Sequence, residues 1–553
     1  MIKRFYKPVI IFILAFLVSL PIILPYFHTG YFPTHDGEWA VVRMGDMFRS
    51  LRDHQFPVRY SGYLNFGYGY PLFNFTYPAP YYLGVLLYFF KLGFVNSIKL
   101  EFAFSVVLSA ITMYLLSNEI WKNKTAGLIS AIFYVYFPYR IVDLYARGSI
   151  GESLAFAIFP LILFCALKIL DNVNPKLYIV LGSISYALLI LTHNIMAVLF
   201  TPLLFIFIVT KMYKTKSRPY LNIFIFILLS YSLSAFFWLS ALLEEHNISL
   251  FKTPIANRNI YFVHLDQLLW PKWGYGLPDA PNGFSYQIGP AHVIILLVVS
   301  AVLIYFIMVR RKLAKNSYSL FALVTAATTF ILTVLMFSFT KIVWQVTPLL
   351  KEINYPWTLL APIGFLTSLL SGFLWLQKKL FKYLVIILCF FAIILTFPYA
   401  KPQFFINKGD LYYLTNDATT TSSDELMPLW VKQKPFQKTD KKVEIIKGSG
   451  NLGNIFSNSK QVIFNADLKD NSIIQVNTIY WPGWIVFIDG QQVPISYNNP
   501  GGLIRFTALK GAHQIRLDFR ESPSRLISDI VSLISVVIIL ILVIRIIIFR
   551  KRV

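Results

Sequence analysis

The sequence predicts a polytopic α-helical membrane protein with about 12 transmembrane helices and an extracytoplasmic β-sandwich domain near its C-terminus. Of its 553 residues, 56% are hydrophobic and only 14% are charged, and the mean hydropathy is +0.61. A soluble protein cannot bury so large an apolar fraction. The net charge of +24 comes from short Lys and Arg clusters between apolar runs, which is typical of cytoplasmic loops and excludes nucleic acid as the expected partner.

The first apolar run, residues 8–27, follows a basic N-terminus. It resembles a signal peptide, but it is long and no small-x-small cleavage site follows it. The run therefore predicts an uncleaved anchor helix with its N-terminus in the cytoplasm.

Loop charge decides how many further runs cross the membrane. The run 80–90 is short for a span, which needs about 20 residues. Counting it as a span would place four basic clusters outside, whereas a re-entrant or interfacial helix leaves them all inside. The twelve predicted spans are 8–27, 100–117, 125–138, 152–170, 176–192, 195–211, 219–241, 290–309, 318–339, 356–376, 382–398 and 526–548. Both termini are then cytoplasmic.

The predicted organisation has three parts. Residues 1–398 form the membrane domain, whose outer loop 28–99 carries interfacial helices. Residues 399–525 form the β-sandwich, and 526–553 form the last helix with a basic tail. Within the outer loop, helical spacing over 39–53 separates an apolar face from a polar face and predicts an interfacial amphipathic helix. The polar face consists of Arg43, Asp46, Ser50 and Asp53.

The β-sandwich is predicted from alternating residues at 513–519 and from Asp489-Gly490, a typical hairpin turn after 484–488. Aromatic residues dominate the cores of such domains. Tyr480, Trp481 and Trp484 are therefore expected in the core, with an exposed glycan-stacking aromatic as the alternative.

The stretch 34–38, Thr-His-Asp-Gly-Glu, is the predicted centre of the chemistry. It places Asp36, Glu38 and His35 just outside the hydrocarbon after the first span. A carboxylate there could act as the general base for a hydroxyl nucleophile. The alternative is that Asp36 caps the following helix, although a capping box from Thr34 would need Glu or Gln where Gly37 stands.

The loop 139–152 supplies the second set of candidates. Arg140 and Arg147 could bind a phosphate, because a guanidinium matches phosphate oxygens in a bidentate way. Alternatively, Asp143 and Arg147 form an i, i+4 ion pair. Glu152 could support the site or simply interact with the helix dipole.

Further candidates lie at the outer ends of other spans. His193-Asn194 is either a supporting pair or a structural turn. Aromatic surfaces suit sugar rings, but an aromatic belt at the membrane interface explains the same residues. The aromatic acceptor candidates are Trp270, Trp273, Tyr355 and Trp357.

The sequence contains no obvious metal or nucleotide site. Cys165 and Cys389 lie within apolar runs, and no zinc pattern is visible. No cofactor is predicted with certainty, and a divalent metal remains possible. The inner loops contain no phosphate-cradling glycine loop, so an enzyme here needs an activated substrate delivered by the membrane.

Several motifs carry a family resemblance. An acid in the first outer loop, followed by interfacial helices, resembles the GT-C superfamily of glycosyltransferases that use polyprenyl-phosphate sugars. The chain is more closely similar to the membrane proteins named 6-pyruvoyl-tetrahydropterin synthase-related, and its tail, 480–484 with Asp489-Gly490, resembles the outer domain of YfhO-type proteins. The motifs behind the closer resemblance are 34–37, 67–71, 138–140, 145–148, Glu152, 192–194 and 355–357.

The resemblance implies a GT-C-like fold and a cell-envelope glycosyltransferase. Such an enzyme moves a sugar from a polyprenyl-phosphate donor to an extracytoplasmic glycan, lipid or protein, with inversion at the anomeric carbon. Asp36 takes the position of the catalytic base. Two other classes stay open from the residues alone, namely a lipid-linked substrate transporter or flippase and a non-catalytic assembly protein.

Overall fold

A computed structural model describes residues 2–214, 219–250, 258–269, 273–277, 283–310, 317–421 and 423–550. In this part of the chain, ten helices are long and apolar enough to cross a membrane. Two further helix pairs are bent, and the total rises to as many as 12 if each pair is one span. All predicted spans coincide with these elements, so the predicted fold class is confirmed.

The described residues up to 244 form twelve α-helices. In chain order they are α1 (Ile2–Ile23), α2 (Gly37–Arg52), α3 (Leu72–Phe75), α4 (Ala79–Tyr88), α5 (Gly93–Trp121), α6 (Lys124–Val135), α7 (Pro138–Val142), α8 (Ile150–Leu170), α9 (Pro175–Thr192), α10 (Asn194–Lys214), α11 (Tyr220–Leu233) and α12 (Ala235–Glu244).

The described residues after 244 add nine α-helices and eight β-strands. The helices are α13 (Leu265–Leu269), α14 (Pro290–Tyr305), α15 (Ser317–Leu335), α16 (Lys341–Val346), α17 (Pro348–Lys351), α18 (Leu360–Trp375), α19 (Lys379–Thr396), α20 (Asp410–Leu414) and α21 (Pro523–Arg550). The strands are β1 (Val443–Lys447), β2 (Gly450–Ser457), β3 (Gln461–Leu468), β4 (Ser472–Ile479), β5 (Trp484–Ile488), β6 (Gln491–Val493), β7 (Leu503–Ala508) and β8 (Gly511–Phe519).

Two features of the helical bundle position the candidate site: the enclosed helix α18 and a proline break between α6 and α7. Helix α18 is completely enclosed at the centre of the bundle. Helix α6 ends just before Pro138, because proline restricts the preceding Phe137 to an extended conformation. The chain then restarts as α7 at an angle of 47° and continues into a π-helical turn, Asp143–Arg147. This break turns Arg147 out of the line of α6.

The outer-loop helix forms as predicted, and its polar face packs against other parts of the chain. Helix α2 buries its apolar face, and its polar Asp46 and Ser50 are also completely buried. On the same face, Arg43 Nε donates to Thr420 Oγ1 at 2.9 Å. Segments distant in sequence therefore cover the polar face of α2, and its interfacial position stays a prediction.

The eight strands form two antiparallel sheets. The three-stranded sheet has the order β1-β4-β7 and the five-stranded sheet the order β2-β3-β8-β5-β6. The predicted alternation appears in β8, and Asp489 and Gly490 both have positive φ, 49° and 84°, in the β5–β6 hairpin. Trp481 and Trp484 are buried in the core, as the sequence predicted for these two residues.

The segment between α19 and β1 packs along the membrane domain before the sheets begin. Tyr31 and Ile406 form a β-bridge, and the Asp410 carboxylate accepts from the Phe94 and Val95 amides at the start of α5. One hydrophobic core also runs from α1 and α2 into the sandwich. We call the end of the bundle that carries the sandwich the domain face. The boundary at residue 399 stays a prediction.

A buried set of charges ties α12, α21 and the outer loop together; we call it the junction cluster. Arg525 Nε lies 3.1 Å from Glu244 Oε1, and Arg59 contacts Asp529. Glu521 lies 3.7 Å from both arginines. Arg525 also donates to the Pro482 carbonyl of the sandwich. The cluster fixes the sandwich and the last helix against the domain face.

Candidate active site

The stretch around Asp36 lies directly against the stretch around Arg147. The His35 amide donates to the Ala146 carbonyl at 3.0 Å, and the Asp36 amide donates to the Arg147 carbonyl at 2.8 Å. Backbone hydrogen bonds therefore join the two segments that the sequence singled out separately. They meet at the domain face, although more than 100 residues separate them in the chain.

Glycine residues allow these two stretches of chain to pack closely. Gly148 has φ +65°, and a Cβ atom there would lie 2.1 Å from Thr34 Oγ1. A Cβ atom on Gly37 would lie 2.4 Å from the Tyr31 hydroxyl oxygen. A side chain at position 148 would push the two stretches apart, and one at position 37 would displace the Tyr31 and Thr34 side chains within the first stretch.

Thr34, and not Asp36, supplies the side-chain cap of α2. Its Oγ1 accepts from the Gly37 amide at 2.9 Å, whereas Asp36 at the N-cap position makes no capping hydrogen bond. The Asp36 side chain is exposed. Within the described residues its carboxylate has no hydrogen bond or ion pair, although its charge acts on His35, Tyr77, Tyr355 and Arg147. The capping alternative thus finds no contact to support it.

The two flanking candidates differ in environment from Asp36. His35 Nε2 donates to the Tyr275 carbonyl at 3.0 Å, and burial lowers the pKa of His35. Glu38, in the first turn of α2, lies where its charge acts on Tyr31 and Tyr413, and burial raises its pKa. The two carboxylates therefore face different surroundings.

Arg147 is fixed on one edge and free on the other. Its Nη1 donates to the Tyr139 hydroxyl at 2.7 Å and contacts the Glu152 carboxylate. The guanidinium lies 4.7 Å from the centre of the Trp357 ring. No atom of the described chain accepts a hydrogen bond from Nη2 or Nε. The side chain is 12% exposed, so this edge can receive a bidentate oxyanion.

Arg140 is enclosed instead. It donates to Ser153 and Ser105 at 2.9–3.0 Å, and its side chain is 0% exposed. Asp143 lies 3.6 Å from both Arg140 and Arg147 and is equally buried. The predicted i, i+4 ion pair thus exists as one contact within a larger set of buried charges. Arg140 has no open edge for a ligand, so the argument for a phosphate contact falls on Arg147.

A cavity of about 780 Å³ opens beside these groups. Tyr77 lines it and stacks on His193 with 5.1 Å between the ring centres. His193 Nδ1 accepts from the Met196 amide at 3.3 Å, and burial lowers the pKa of His193 to about 4. Asn194 lines the cavity beside it. The polar and charged residues of the lining are Arg43, Thr76, Tyr77, Asn194, Glu245, Lys351, Glu352, Asn354, Thr421 and Glu425.

The aromatic acceptor candidates fall in different places. Trp357 is 2% exposed and serves as the surface on which Arg147 lies. Tyr355 is half-buried and stacks on Trp357 with 4.9 Å between the ring centres. Trp273 stacks on Tyr399, 4.4 Å away, in a separate contact. Trp270 lies outside the described residues.

Sequence reasoning missed Arg43, Tyr77 and Lys351 as cavity residues. The sequence placed Arg43 only on the polar face of an amphipathic helix, whereas hydrogen bonds to Tyr81 and Thr420 hold it beside the cavity. Its position between two acids of the apolar outer loop is the one signal that could have marked it. Among the described residues, no group of three or more His, Cys, Asp or Glu side chains is arranged to bind a metal ion.

No family model matches the chain, and no curated protein matches it. The chain is similar in structure to the mycobacterial arabinofuranosyltransferase AftD, with 13% identity and a TM-score of 0.40, over 71% of this chain and 27% of that chain. It is also similar to the Archaeoglobus fulgidus oligosaccharyltransferase AglB, solved with an inhibitory peptide and a dolichol-phosphate. That match has 14% identity and a TM-score of 0.40, over 74% of this chain and 56% of that chain. The chain thus spans between about a quarter and just over half of these proteins.

Proposed function

We propose that the chain is a membrane glycosyltransferase of GT-C type that uses a polyprenyl-phosphate-linked sugar. It transfers the sugar to a hydroxyl of a glycan, lipid or protein at the domain face. The observation that carries the proposal is the free Asp36 carboxylate beside Arg147, whose guanidinium is fixed on one edge and free on the other. Motif resemblance supports the same class. The narrower family resemblances and the orientation of the domain face toward the outside stay predictions.

Asp36 acts as the general base in this proposal. The acceptor hydroxyl gives its proton to the carboxylate while its oxygen bonds to the anomeric carbon of the donor sugar. The bond from that carbon to the phosphate oxygen breaks, and the lipid phosphate leaves with the electron pair. Attack opposite to the leaving group inverts the anomeric carbon. An exposed carboxylate suits this role because the acceptor hydroxyl can reach it.

Arg147 stabilises the leaving phosphate in this proposal. Negative charge grows on the phosphate as the bond breaks, and a preorganised cation stabilises that charge most. Glu152, Tyr139 and Trp357 fix the guanidinium from one side. The free edge then faces the phosphate without reorganisation. The adjacent cavity, lined by Tyr77 and Asn194, has room for the sugar.

Replacement of Asp36 by Asn tests the base, because the amide keeps the shape but cannot accept the proton. We expect transfer from radiolabelled polyprenyl-phosphate sugars to fall by about 10²- to 10⁴-fold. The matched control is Glu38→Gln two residues away, which should leave transfer within a few-fold. If Asp36→Asn also stays within a few-fold of the wild type, Asp36 is not the base.

The bent helix pairs favour a second candidate, a transporter or flippase for a lipid-linked substrate. Broken helices are typical of transporter binding sites, and the breaks here are 47° and 66°. The purified chain in liposomes would then scramble or export a lipid-linked sugar. Asp36→Asn separates the two candidates, since scrambling that survives the substitution in a chain without transfer activity favours transport.

A further inference from the structure

A second cavity, of about 460 Å³, lies where the outer loop meets the sandwich. Arg49 of α2 lines it. Arg49 is 13 residues from Asp36, so at a helical rise of about 1.5 Å per residue the cavity lies roughly 20 Å from the candidate active site. It is therefore a separate site, and the proposed transfer reaction does not use it.

Lys442 is the first unusual group in this cavity. Its Nζ donates to the Gly67 carbonyl at 2.8 Å and to the Asn477 carbonyl at 3.0 Å. No carboxylate of the described chain lies within ion-pair distance, and the third ammonium proton has no partner there. Burial lowers the pKa of Lys442 to about 8. The Lys442 side chain is partly buried at the cavity wall. Because no counter-ion offsets the desolvation of its ammonium group, the site favours an anion that supplies one.

Arg49 is the second unusual group in this cavity. Its guanidinium lies 4.4 Å from the centre of the Tyr63 ring, and Nη2 lies 3.9 Å from the buried Asp46. Its Nε is buried and lacks a hydrogen-bond partner in the described chain. Asp46 compensates the charge of Arg49 from behind, but the donor Nε stays unsatisfied. The Arg49 side chain as a whole is 29% exposed, and an anion that enters the cavity can contact its exposed part.

The remaining lining suits a hydroxyl-rich ligand. Thr415, Thr439, Ser457 and Asn458 contribute hydroxyl and amide groups. The other charged groups are Lys438, Asp417 and Asp440, and Lys438 pairs with Asp417 at 3.3 Å. Basic side chains thus outnumber acidic ones in the lining, three to two.

We propose that this cavity binds an anionic saccharide unit, a sugar that carries a carboxylate or phosphate. The anionic group lies between Lys442 and Arg49, where it supplies the missing counter-ion and contacts the exposed part of the Arg49 side chain. The sugar hydroxyls exchange hydrogen bonds with the threonine, serine and asparagine side chains. The site needs no transferase activity, so its failure and that of the proposed function are distinguishable.

Calorimetry on the full-length chain in detergent tests the proposal with trigalacturonate, its methyl ester and inorganic phosphate as probes. We expect the acid to bind at least tenfold more tightly than the neutral ester. Inorganic phosphate alone should compete poorly, because it makes none of the sugar contacts. Equal binding of acid and ester, or full competition by phosphate, would overturn the proposal.

Substitutions locate the site. Lys442→Met and Arg49→Gln should each weaken trigalacturonate binding by about tenfold or more, since each removes a contact to the anion. Lys441→Met, at the exposed neighbour of Lys442, is the matched control and should bind like the wild type. If Lys442→Met does not fold, Arg49→Gln decides alone. Unchanged affinity in a folded variant of either residue would refute the assignment.

Discussion

Two buried sets of charges lie at the domain face, and they differ in whether a ligand can reach them. The junction cluster joins Arg59 and Arg525 to three acids, and both arginine side chains are at most 1% exposed. The active-site set likewise pairs two arginines with two acids, but Arg147 keeps an open edge and the Asp36 carboxylate beside it has no partner among the described residues. A closed set of charges fixes structure, whereas an open one can exchange charge with a ligand.

The comparison predicts that the closed cluster matters most for stability. Arg525→Met leaves Glu244 buried without its cation, and such a broken pair costs about 3–5 kcal/mol of unfolding free energy. Thermal unfolding in detergent should show a much lower melting temperature for Arg525→Met, while the chains that remain folded still transfer sugar. Arg516→Met is the control, because its side chain is 47% exposed and surface pairs contribute about 0–1 kcal/mol. Equal effects of the two variants would contradict the comparison.

The two clusters also differ in how far the sequence could predict them. Arg140, Asp143, Arg147 and Glu152 lie within 13 residues of one another, and the i, i+4 spacing of Asp143 and Arg147 predicted one of their ion pairs. The junction cluster joins Arg59 to Asp529 across 470 positions, and no local pattern indicates that contact.

Membrane spans were equally predictable, because hydropathy and loop charge are local properties. The cover over α2 was not. Periodicity placed Asp46 on the polar face of α2, but it shows only which residues share a face and not what packs against that face. Trp357 is a similar case. Its aromatic character suggested a sugar contact or an interfacial belt, but could not indicate that its ring packs against the guanidinium of Arg147.

In the active-site set, a substitution that keeps the positive charge of Arg147 should still reduce activity. Arg147→Lys preserves the cation but loses the planar, bidentate edge and the contact with Trp357. We expect kcat/KM for the lipid-linked donor to fall by roughly 10- to 150-fold, which corresponds to a loss of about 1.5–3 kcal/mol of transition-state stabilisation. Steady-state kinetics on the purified chain measure this.

Arg140→Lys is the matched comparison in the same cluster. Arg140 is enclosed by Ser105 and Ser153. Its substitution should therefore lower the melting temperature clearly, while kcat/KM for the lipid-linked donor changes little. The reverse pattern, with donor binding lost in Arg140→Lys and kept in Arg147→Lys, would assign the phosphate contact to Arg140 instead.

The smallest expected effect separates capping from catalysis at the start of α2. Thr34→Val keeps the side-chain shape but removes the oxygen that accepts from the Gly37 amide, and a lost cap costs about 1 kcal/mol. Asp36→Asn touches no cap and should change stability by less than about 0.5 kcal/mol, although it abolishes most of the transfer. Denaturant unfolding of both variants, read beside their activities, measures the two effects. A destabilised Asp36→Asn chain with normal transfer, next to a stable Thr34→Val chain, would restore Asp36 to the role of a helix cap.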